Sequence, residues 1–338
     1  MLKVFRFVAI SKFNTSPLKM IQKPLHFVLK LAVSILLIGF ITWKFDLSSF
    51  YLRLTNLKTG YVLFAIIDLV IVQFNNTARW RAVLNTIEAK LSFWTSFRLL
   101  YIGVFFNLTL PSSVGGDAVR MYLARKEGLS LAGAINSVIL ERVAALSGLI
   151  LLVLVTQPLL LNRIGDNPAK LIFPILAIFV ILGIVILMFL DKFPSQFHRF
   201  RIVRGLGHLA SDTKKLFLSP IGTILSVGFG VSGNILVASA AYLLCLALRI
   251  DLNIIDCFVL IPPVILITTI PISIAGWGVR EGAMVVVLAY AGISEGDAFI
   301  LSLLLGISIL ISSLPGGLIW IKGGYKRGEV VKEITAGA

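Results

Sequence analysis

The sequence is poor in charge, in cysteine and in histidine, and each scarcity excludes a class of protein. Charged residues make up 14% of the 338 positions, against roughly 25% in soluble domains. Cys245 and Cys257 have no CxxC spacing, so small buried hydrophobic residues are the favoured interpretation and a disulfide is the alternative. The three histidines are scattered among basic segments and predict no metal site. Without a Ser/His/Asp set or a phosphate-binding loop, neither a cofactor nor enzyme activity is expected.

Acidic residues are also scarce. Asp and Glu number 16 against 31 Lys and Arg, which gives a net charge of +15. In a soluble protein this excess would indicate nucleic acid. Here the basic residues lie between apolar stretches, where they orient spans and contact anionic headgroups, so no nucleic-acid partner is expected. No small-residue cleavage site follows the basic tail 1–24 and the next apolar run, so a retained first span is predicted.

Hydrophobic residues reach 58%, with a mean hydropathy of +0.97, and they are concentrated in runs. These runs cover 25–43, 60–75, 93–110, 131–161, 170–190, 220–248, 256–270 and 297–321. About 18 or more apolar residues cross a membrane as a helix, because lipid cannot satisfy backbone polar groups. The sequence therefore predicts an all-α polytopic membrane protein with one domain, 25–322, and cytoplasmic tails at 1–24 and 323–338. A prokaryotic cell membrane is the expected location.

The distribution of basic residues favours six crossings over eight. Eight would place the basic segment 191–219 opposite the basic N-terminal tail, against the positive-inside rule. If 93–110 and 256–270 are instead legs of re-entrant hairpins, both termini are cytoplasmic, and the loops and tails hold 21 basic residues inside and 6 outside. The hairpins are then inverted copies, within repeat elements at about 93–161 and 256–321, an arrangement that many transporters use around a midplane site.

A repeated motif supports the copying independently. Residues 111–120, PSSVGGDAVR, align with residues 271–280, PISIAGWGVR, at an offset of 160. Pro, Ser, Gly, Val and Arg coincide at fixed places. Further on, the Gly-x-Ser at 128–130 matches 292–294, now at an offset of 164. The ordered agreement of several residue types indicates a duplicated element.

The chemistry of the motif predicts a site for an anion. Proline ends the incoming helix, and glycine permits unusual backbone and close approach. Freed amides and the next helix N-terminus favour negative charge, and arginine offers bidentate donors. The alternative is a purely structural helix break whose arginine is neutralised by a local acid. Adjacent Arg280–Glu281 and Glu141–Arg142 are expected to need partners from elsewhere, because adjacent helical residues diverge.

Two sets of candidate residues follow, with an anion-attracting cavity expected between the two facing tips. The candidate headgroup-binding residues are Asn107, Asp117, Arg120, Glu141, Arg142, Arg280 and Glu281. The candidate hairpin-tip residues are Pro111, Gly115, Gly116, Pro271, Gly276 and Gly278. Asn107 is expected either to cap freed backbone or to contact substrate.

Three further patterns receive structural interpretations. The GxGxxG at 228–233 lies in an apolar span without a preceding strand, so a close helix contact is predicted in place of a dinucleotide site. Arg79-Trp80-Arg81 is interpreted as an interfacial anchor, with contact to lipid headgroups as the alternative. Pro315-Gly316-Gly317 predicts a kink.

Taken together, the motifs at 107–120, 141–142 and 276–282 resemble the lysylphosphatidylglycerol synthase transmembrane-region family, and Arg79-Trp80 also fits. The resemblance spans about residues 25–322 and implies a flippase-like domain that moves lipids between leaflets. In bifunctional members a soluble catalytic domain follows, and its absence here makes lipid synthesis an unexpected activity.

The resulting hypothesis is a lipid flippase for an anionic phospholipid or lipid-linked headgroup, with Arg120 and Arg280 holding the head. Membrane lipids are the expected partners, and a homo-oligomer or an envelope-synthesis enzyme is a further possible partner. The main alternative is a non-transporting membrane subunit that regulates an enzyme of envelope lipid or glycan synthesis.

Overall fold

The computed structural model describes residues 55–109, 115–164, 171–192, 201–269 and 276–323. These ranges contain ten α-helices, a short 3-10 helix at Ala289–Ala291 and no β-strand. The helices are α1 (Thr59–Thr86), α2 (Phe93–Thr109), α3 (Gly115–Lys126), α4 (Leu131–Ile164), α5 (Ile172–Met188), α6 (Arg201–Leu218), α7 (Pro220–Leu248), α8 (Ile254–Thr268), α9 (Val279–Leu288) and α10 (Glu295–Lys322). The predicted all-helical class is confirmed for this part of the chain.

Four helices, α1, α4, α7 and α10, are long and apolar enough to cross a membrane. Helix α5 has 17 residues, at the short end of the length that spans a bilayer. Large apolar side chains remain exposed on these helices, for example Val155 at 69% and Ile224 at 69%, as expected of surfaces that face lipid. The predicted run 25–43 and both tails beyond 323 and before 55 lie outside the described residues.

Helices α1 and α7 run antiparallel and in contact along their whole length. At one end the Lys58 N–H donates to the Ala247 carbonyl at 3.1 Å. In the middle Asn75 donates to the Phe229 carbonyl at 2.7 Å. At the other end the hydroxyl of Thr86 lies against Gly222. The long helices α1 and α7 therefore run in opposite directions.

The rest of the fold follows the same correspondence. Helices α1–α4 form a first half and α7–α10 a second, each made of a long helix, a broken pair and another long helix. Helix α2 packs on α10, and its counterpart α8 packs on α4. Likewise α1 packs on α10, and α7 packs on α4. The duplication predicted from the motif is thus visible in the packing.

The turn after each broken pair is nearly the same in the two halves. Gly128 and Gly292 have positive φ angles of 102° and 75°, a conformation that favours glycine. Two residues later, the Ser130 and Ser294 hydroxyls accept from the backbone N–H three positions on, at 3.0 and 3.1 Å. Each long helix therefore begins with an equivalent serine cap.

Helices α2 and α3 form an antiparallel hairpin. Arg98 near the start of α2 pairs with Glu127 just beyond α3 at 2.8 Å. Closer to the break, Gly116 packs directly against the Gly103 carbonyl, where a Cβ atom would overlap it. The break itself, with Pro111, lies outside the described residues, as does Pro271 of the second half.

Glycine contacts also bring the other helices together. In the GxGxxG segment of α7, Gly230 packs against Gly148 of α4, and Gly233 lies against Asn75 of α1. The predicted close helix contact is confirmed at these two glycines, whereas Gly228 faces open space. Gly316 packs against the Tyr101 backbone of α2, where the predicted kink region forms a close helix crossing.

Helix α6 connects the two halves and is amphipathic, with Leu209 and Leu216 buried. Asn136 of α4 donates to Asp212 of α6 at 2.7 Å. At the end of α5, Lys214 binds Asp191, and this hydrogen bond lowers the pKa of the exposed Asp191 carboxyl. In the second half Cys245 and Cys257 are buried free thiols, which confirms their interpretation as small core residues.

Candidate functional site

A polar cavity of about 110 Å³ lies among α1, α2, α3 and α4. Its lining residues are Asn76, Arg79, Leu100, Gly103, Val104, Asn107, Asp117, Arg120, Glu141, Arg142 and Ala145. Every one of them belongs to the first half. The predicted cavity between the two hairpin tips involves residues 110–114 and 270–275, which lie outside the described residues, so it stays a prediction. The cavity described here lies within the first half, where α1 and α4 pack around the α2–α3 hairpin.

Glu141 of α4 is at the centre of the charged cluster. Arg79 of α1 donates to its Oε1 atom through Nε at 2.9 Å and through Nη2 at 2.6 Å. Arg120 of α3 donates to the other oxygen at 2.9 Å. All three residues are at most 8% exposed. One carboxylate therefore ties together three helices, and the two arginines supply the compensation that a buried charge requires.

Asp117 is the second acid of the cluster, in the first turn of α3. Arg142 of α4 pairs with its Oδ2 atom at 2.7 Å, and Arg120 approaches its Oδ1 atom at 3.6 Å. Asn107 of α2 accepts from the Gly116 N–H at 2.9 Å and thereby caps the N-terminus of α3. The structure thus places Asn107 both in the capping role and on the cavity wall.

An aromatic ring supports one of the arginines. The guanidinium carbon of Arg120 lies 4.8 Å from the centroid of the Trp80 ring, in a cation–π arrangement. Trp80 is fully buried. Its indole N–H and the Arg120 Nε–H are buried donors without an acceptor in the part of the chain that the structure describes. Arg120 lines the cavity, so a ligand oxygen there would give its guanidinium group a further acceptor.

The cluster carries an excess of positive charge. Arg79, Arg120 and Arg142 contribute three charges, and Asp117 and Glu141 balance two of them. Helix α3 also begins at the cavity wall, where the helix dipole favours negative charge. Most of the cluster is buried, but the Arg142 side chain is 55% exposed. The arrangement is suited to an anion that enters from the exposed side.

The second half has a smaller polar group around Arg280 and Glu281. Arg280 pairs with Glu281 at 2.8 Å and donates to Ser302 at 3.1 Å, and its guanidinium lies 4.8 Å from the Trp277 ring centroid. Glu281 is fully buried and also accepts from the Gly278 N–H. None of the described hydrogen bonds or ion pairs connects this group to the cluster of the first half.

The outcome for adjacent acid and base pairs differs between the halves. Glu141 and Arg142 take partners from other helices, as expected. Arg280 and Glu281 also take a partner from another helix, Ser302 of α10, but contrary to the expectation they bind each other as well. Glu281 caps Gly278, so its carboxylate turns back toward the helix N-terminus. There the long Arg280 side chain reaches it.

Arg79 is the cluster residue that sequence reasoning missed as a site residue. Its interpretation as an interfacial anchor is wrong for Arg79 and Trp80, because they are 8% and 0% exposed. A signal was present in the sequence: the apolar first part of α1 gives way to a polar stretch at 73–81, in which Gln73, Asn76 and Arg79 recur every third residue. Polar residues on one face of a membrane helix indicate an internal polar site.

The known proteins that the chain resembles are membrane proteins. The family described as lysylphosphatidylglycerol synthase TM region matches residues 27–318 of the chain. A UPF0104 membrane protein of Methanothermobacter thermautotrophicus is 25% identical over 323 residues, which cover 86% of this chain and 90% of that protein. A UPF0104 membrane protein of Methanocaldococcus jannaschii is 33% identical over 92 residues, 27% of each chain.

Proposed function

Because the chain belongs to the lysylphosphatidylglycerol synthase transmembrane-region family, a membrane-protein family related to lipid handling, we propose that it is a lipid flippase. Its substrate would be an anionic phospholipid or a lipid-linked headgroup, moved between the two leaflets. The observation that carries the proposal is the buried cluster with an unbalanced positive charge, in a cavity lined by four helices. The protein would act as a transporter and would not alter the lipid chemically.

The cavity offers a place for a headgroup but not for acyl chains. Guanidinium groups of Arg79, Arg120 and Arg142 line it beside the apolar side chains of Leu100 and Val104. Charged groups in hydrocarbon are costly, on the order of 2.5–3.5 kcal/mol each on insertion scales, so they persist where they serve a function. In this proposal the headgroup enters the cavity while its chains stay in the surrounding lipid.

The proposed membrane topology has six crossings, with both termini in the cytoplasm. Helices α1, α4, α7 and α10 have the length and composition of full spans. In this proposal α5 and the run 25–43 supply the other two, and the α2–α3 and α8–α9 pairs are re-entrant hairpins. The antiparallel contact of α1 with α7 supports the inversion, since the two halves then enter the membrane from opposite sides.

Reconstitution in liposomes tests the proposal. A fluorescently labelled phosphatidylglycerol is placed in both leaflets, and an impermeant reductant then bleaches the label that reaches the outer leaflet. With wild-type protein, the reductant is expected to bleach more than half of the label, because label from the inner leaflet also reaches the outer one. The Arg142→Gln variant is expected to slow exposure by about tenfold, the effect of one weakened charge-assisted contact.

The matched control is Arg98→Gln. Arg98 is also a partly exposed arginine of the first half, but it pairs with Glu127 and does not line the cavity. In liposomes with the Arg98→Gln variant, the lipid label is expected to reach the outer leaflet at the wild-type rate. No exposure above protein-free liposomes by the wild type, or equal rates for the Arg142 and Arg98 variants, would refute the proposed role of the cavity.

A further inference from the structure

Asp68 is the only acidic residue of α1, and it lies well inside this membrane helix. It comes nine residues after Thr59, the first residue of α1. This separation corresponds to roughly 14 Å along the helix axis. Between Val62 and Val72 every other side chain is apolar. Ionisable residues in such segments are rare and mark the pathways of ions, protons or substrates.

The carboxyl group of Asp68 lacks the partner that other acids of the membrane helices have. Its Oδ2 atom is buried and accepts no hydrogen bond in the part of the chain that the structure describes. By contrast, Glu141, Asp117 and Glu281 each bind an arginine. The Gln73 Oε1 atom, five residues further along α1, is a second buried acceptor without a donor. The unused hydrogen-bonding capacity here is therefore acceptor capacity, which a proton or another cation satisfies.

The helices packed against α1 are α2, α4, α6, α7 and α10, and none of the hydrogen bonds and ion pairs described for them reaches Asp68. On α7, the longest neighbour in contact, the ionisable residues are Tyr242 and Cys245, two types that are ordinarily neutral. The ionisable residues of the other four helices are Arg98 and Tyr101 on α2, Glu141, Arg142 and Arg163 on α4, Arg201, Arg204, His208, Asp212, Lys214 and Lys215 on α6, and Glu295, Asp297 and Lys322 on α10.

The surroundings of Asp68 suit a proton better than a metal ion. Hard cations such as calcium take six or more oxygen ligands. The residues one turn away on either side have no side-chain oxygen: Phe64, Ala65, Ile71 and Val72. No group of three metal-binding side chains occurs within the described ranges. An unpaired carboxylate in an apolar site is costly, whereas a protonated carboxyl group is neutral and can remain there.

Helix α1 connects Asp68 to the cavity of the first half. Asp68, Asn75 and Arg79 share one face of the helix, because they are 7 and 11 residues apart. Arg79 binds Glu141 on the cavity wall at 2.6 Å, and Asn75 donates to Phe229 of α7 at 2.7 Å. The acid and the cavity wall are thus parts of one helix, roughly 16 Å apart along its axis. A shift of α1 against α7 would change both together.

We infer that Asp68 binds a proton that crosses the membrane together with the anionic headgroup. The inference rests on the proposed function and specifies what drives it. The carboxylate accepts the proton from water on one side and releases it to water on the other, so no further reactant is needed. A proton that accompanies an anion lowers the net charge that moves through the hydrocarbon, where charge is costly.

A pH gradient across liposomes tests this inference. The labelled phosphatidylglycerol is present in trace amounts, the interior is more acidic than the exterior, and valinomycin with equal potassium on both sides holds the voltage at zero. For one coupled proton, a gradient of about one pH unit shifts the outer-to-inner ratio of the label by about tenfold. Wild-type protein is expected to show this shift at steady state, measured as the fraction of label that a pulse of impermeant reductant bleaches at once. An unchanged ratio, or a shift toward the inner leaflet, would overturn the inference.

Two substitutions separate proton binding from side-chain shape. Asp68→Asn keeps the size of the side chain but cannot titrate, so the gradient is expected to leave the label ratio unchanged. Asp68→Glu keeps a carboxyl group and is expected to restore most of the shift. The matched control is Asp251→Asn, an exposed acid in the turn between α7 and α8, which should show the full shift. A full shift with Asp68→Asn would contradict the role of Asp68.

Infrared difference spectroscopy detects the proton site without requiring transport. When the pH is lowered, wild-type protein is expected to gain a protonated-carboxyl C=O band at the high frequency typical of an apolar site. The Asp68→Asn variant should lack this band, and the Asp251→Asn variant should keep it. A band of equal strength in wild type and Asp68→Asn would refute proton binding by Asp68.

Two further outcomes distinguish the cation and the two proposals. If a sodium gradient at equal pH produces the same shift, the coupled cation is a metal ion and the inference fails. Label exposure that responds to neither gradient would refute the coupling but leave the proposed flippase standing. If no label is exposed under any condition, the flippase is refuted and the coupling fails with it, whatever the infrared band shows.

Discussion

The two halves of the molecule carry the same motif but use its arginine differently. In the first half Arg120 shares Glu141 with Arg79, faces a cavity and retains an unused donor. In the second half Arg280 has its own acid, and its guanidinium packs directly against Gly306. The first cluster therefore has one positive charge in excess, whereas the charges of Arg280 and Glu281 balance each other.

The difference shows that a duplicated motif preserves geometry more strictly than chemistry. The turns, the serine caps and the helix packing are equivalent in the two halves. The two copies differ in their own acids, because Asp117 aligns with Trp277 and Met121 aligns with Glu281. They also differ in their surroundings, because α1 and α4 add Arg79, Glu141 and Arg142 to the first hairpin.

Removing the acid of the second cluster is expected to have the largest effect on stability. Glu281→Gln leaves the Arg280 guanidinium, 11% exposed, without its counter-charge, and weakens the cap on Gly278. Breaking one partner of a buried pair costs about 3–5 kcal/mol of unfolding free energy. Denaturant titration of the purified protein in detergent measures this change.

Asp117→Asn is the matched change in the first half, and it sharpens the comparison. Arg120 keeps its bond to Glu141, and the largely exposed Arg142 can be solvated, so a cost of about 1–2 kcal/mol is expected. If Asp117→Asn proves as costly as Glu281→Gln, the first cluster is as closed as the second. The contrast between the halves would then disappear.

A methyl group added inside the first hairpin is expected to have the next largest effect. In Gly116→Ala the Cβ atom overlaps the Gly103 carbonyl and the Asn107 backbone, so α3 must move away from α2. Overpacking of this kind costs about 1–3 kcal/mol of unfolding free energy. The same displacement should widen the cavity and slow exposure of the lipid label in the liposome assay.

Gly282→Ala provides the control in the second half. Gly282 is a helical glycine beside the Arg280–Glu281 pair, with open space around its Cβ position. Alanine there is expected to leave stability unchanged or raise it by up to about 1 kcal/mol through helix propensity. A Gly116→Ala variant that unfolds like the control would show that close packing does not hold the first hairpin.

Much of the fold followed from the sequence, because the membrane restricts the possible structures. Long apolar runs must be helices, and the predicted runs at 131–161, 220–248 and 297–321 correspond closely to α4, α7 and α10. The offset of 160–164 residues predicted the duplication. Where the α2–α3 hairpin would lie against α1 and α4 was not predictable, since helix packing depends on small surface details such as Gly103 and Gly116.

The site was predicted less completely than the fold. Asn107, Asp117, Arg120, Glu141 and Arg142 do come together, because the motif and the following helix bring them to one place. Arg79 lies 62 residues from Glu141 in sequence, and only the packing of α1 on α4 joins them. Arg280 lies outside this cavity, because its local acid satisfies it first.

The last expected effect concerns the feature in which the halves are alike. Gly128 and Gly292 each hold a positive φ angle in open space, so a substitution there strains the backbone without a steric clash. Gly128→Ala and Gly292→Ala should therefore cost about 1–2 kcal/mol of unfolding free energy each, and agree within about 0.5 kcal/mol. Gly296→Ala, in helix α10 with open space around it, serves as the control and should cost nothing. Asparagine, which tolerates positive φ, should recover part of the loss at both turns. A large cost at one turn alone would mean that the duplication survives in the angles but not in the energetics, and the comparison of the halves would then have to include the turns as well as the charges.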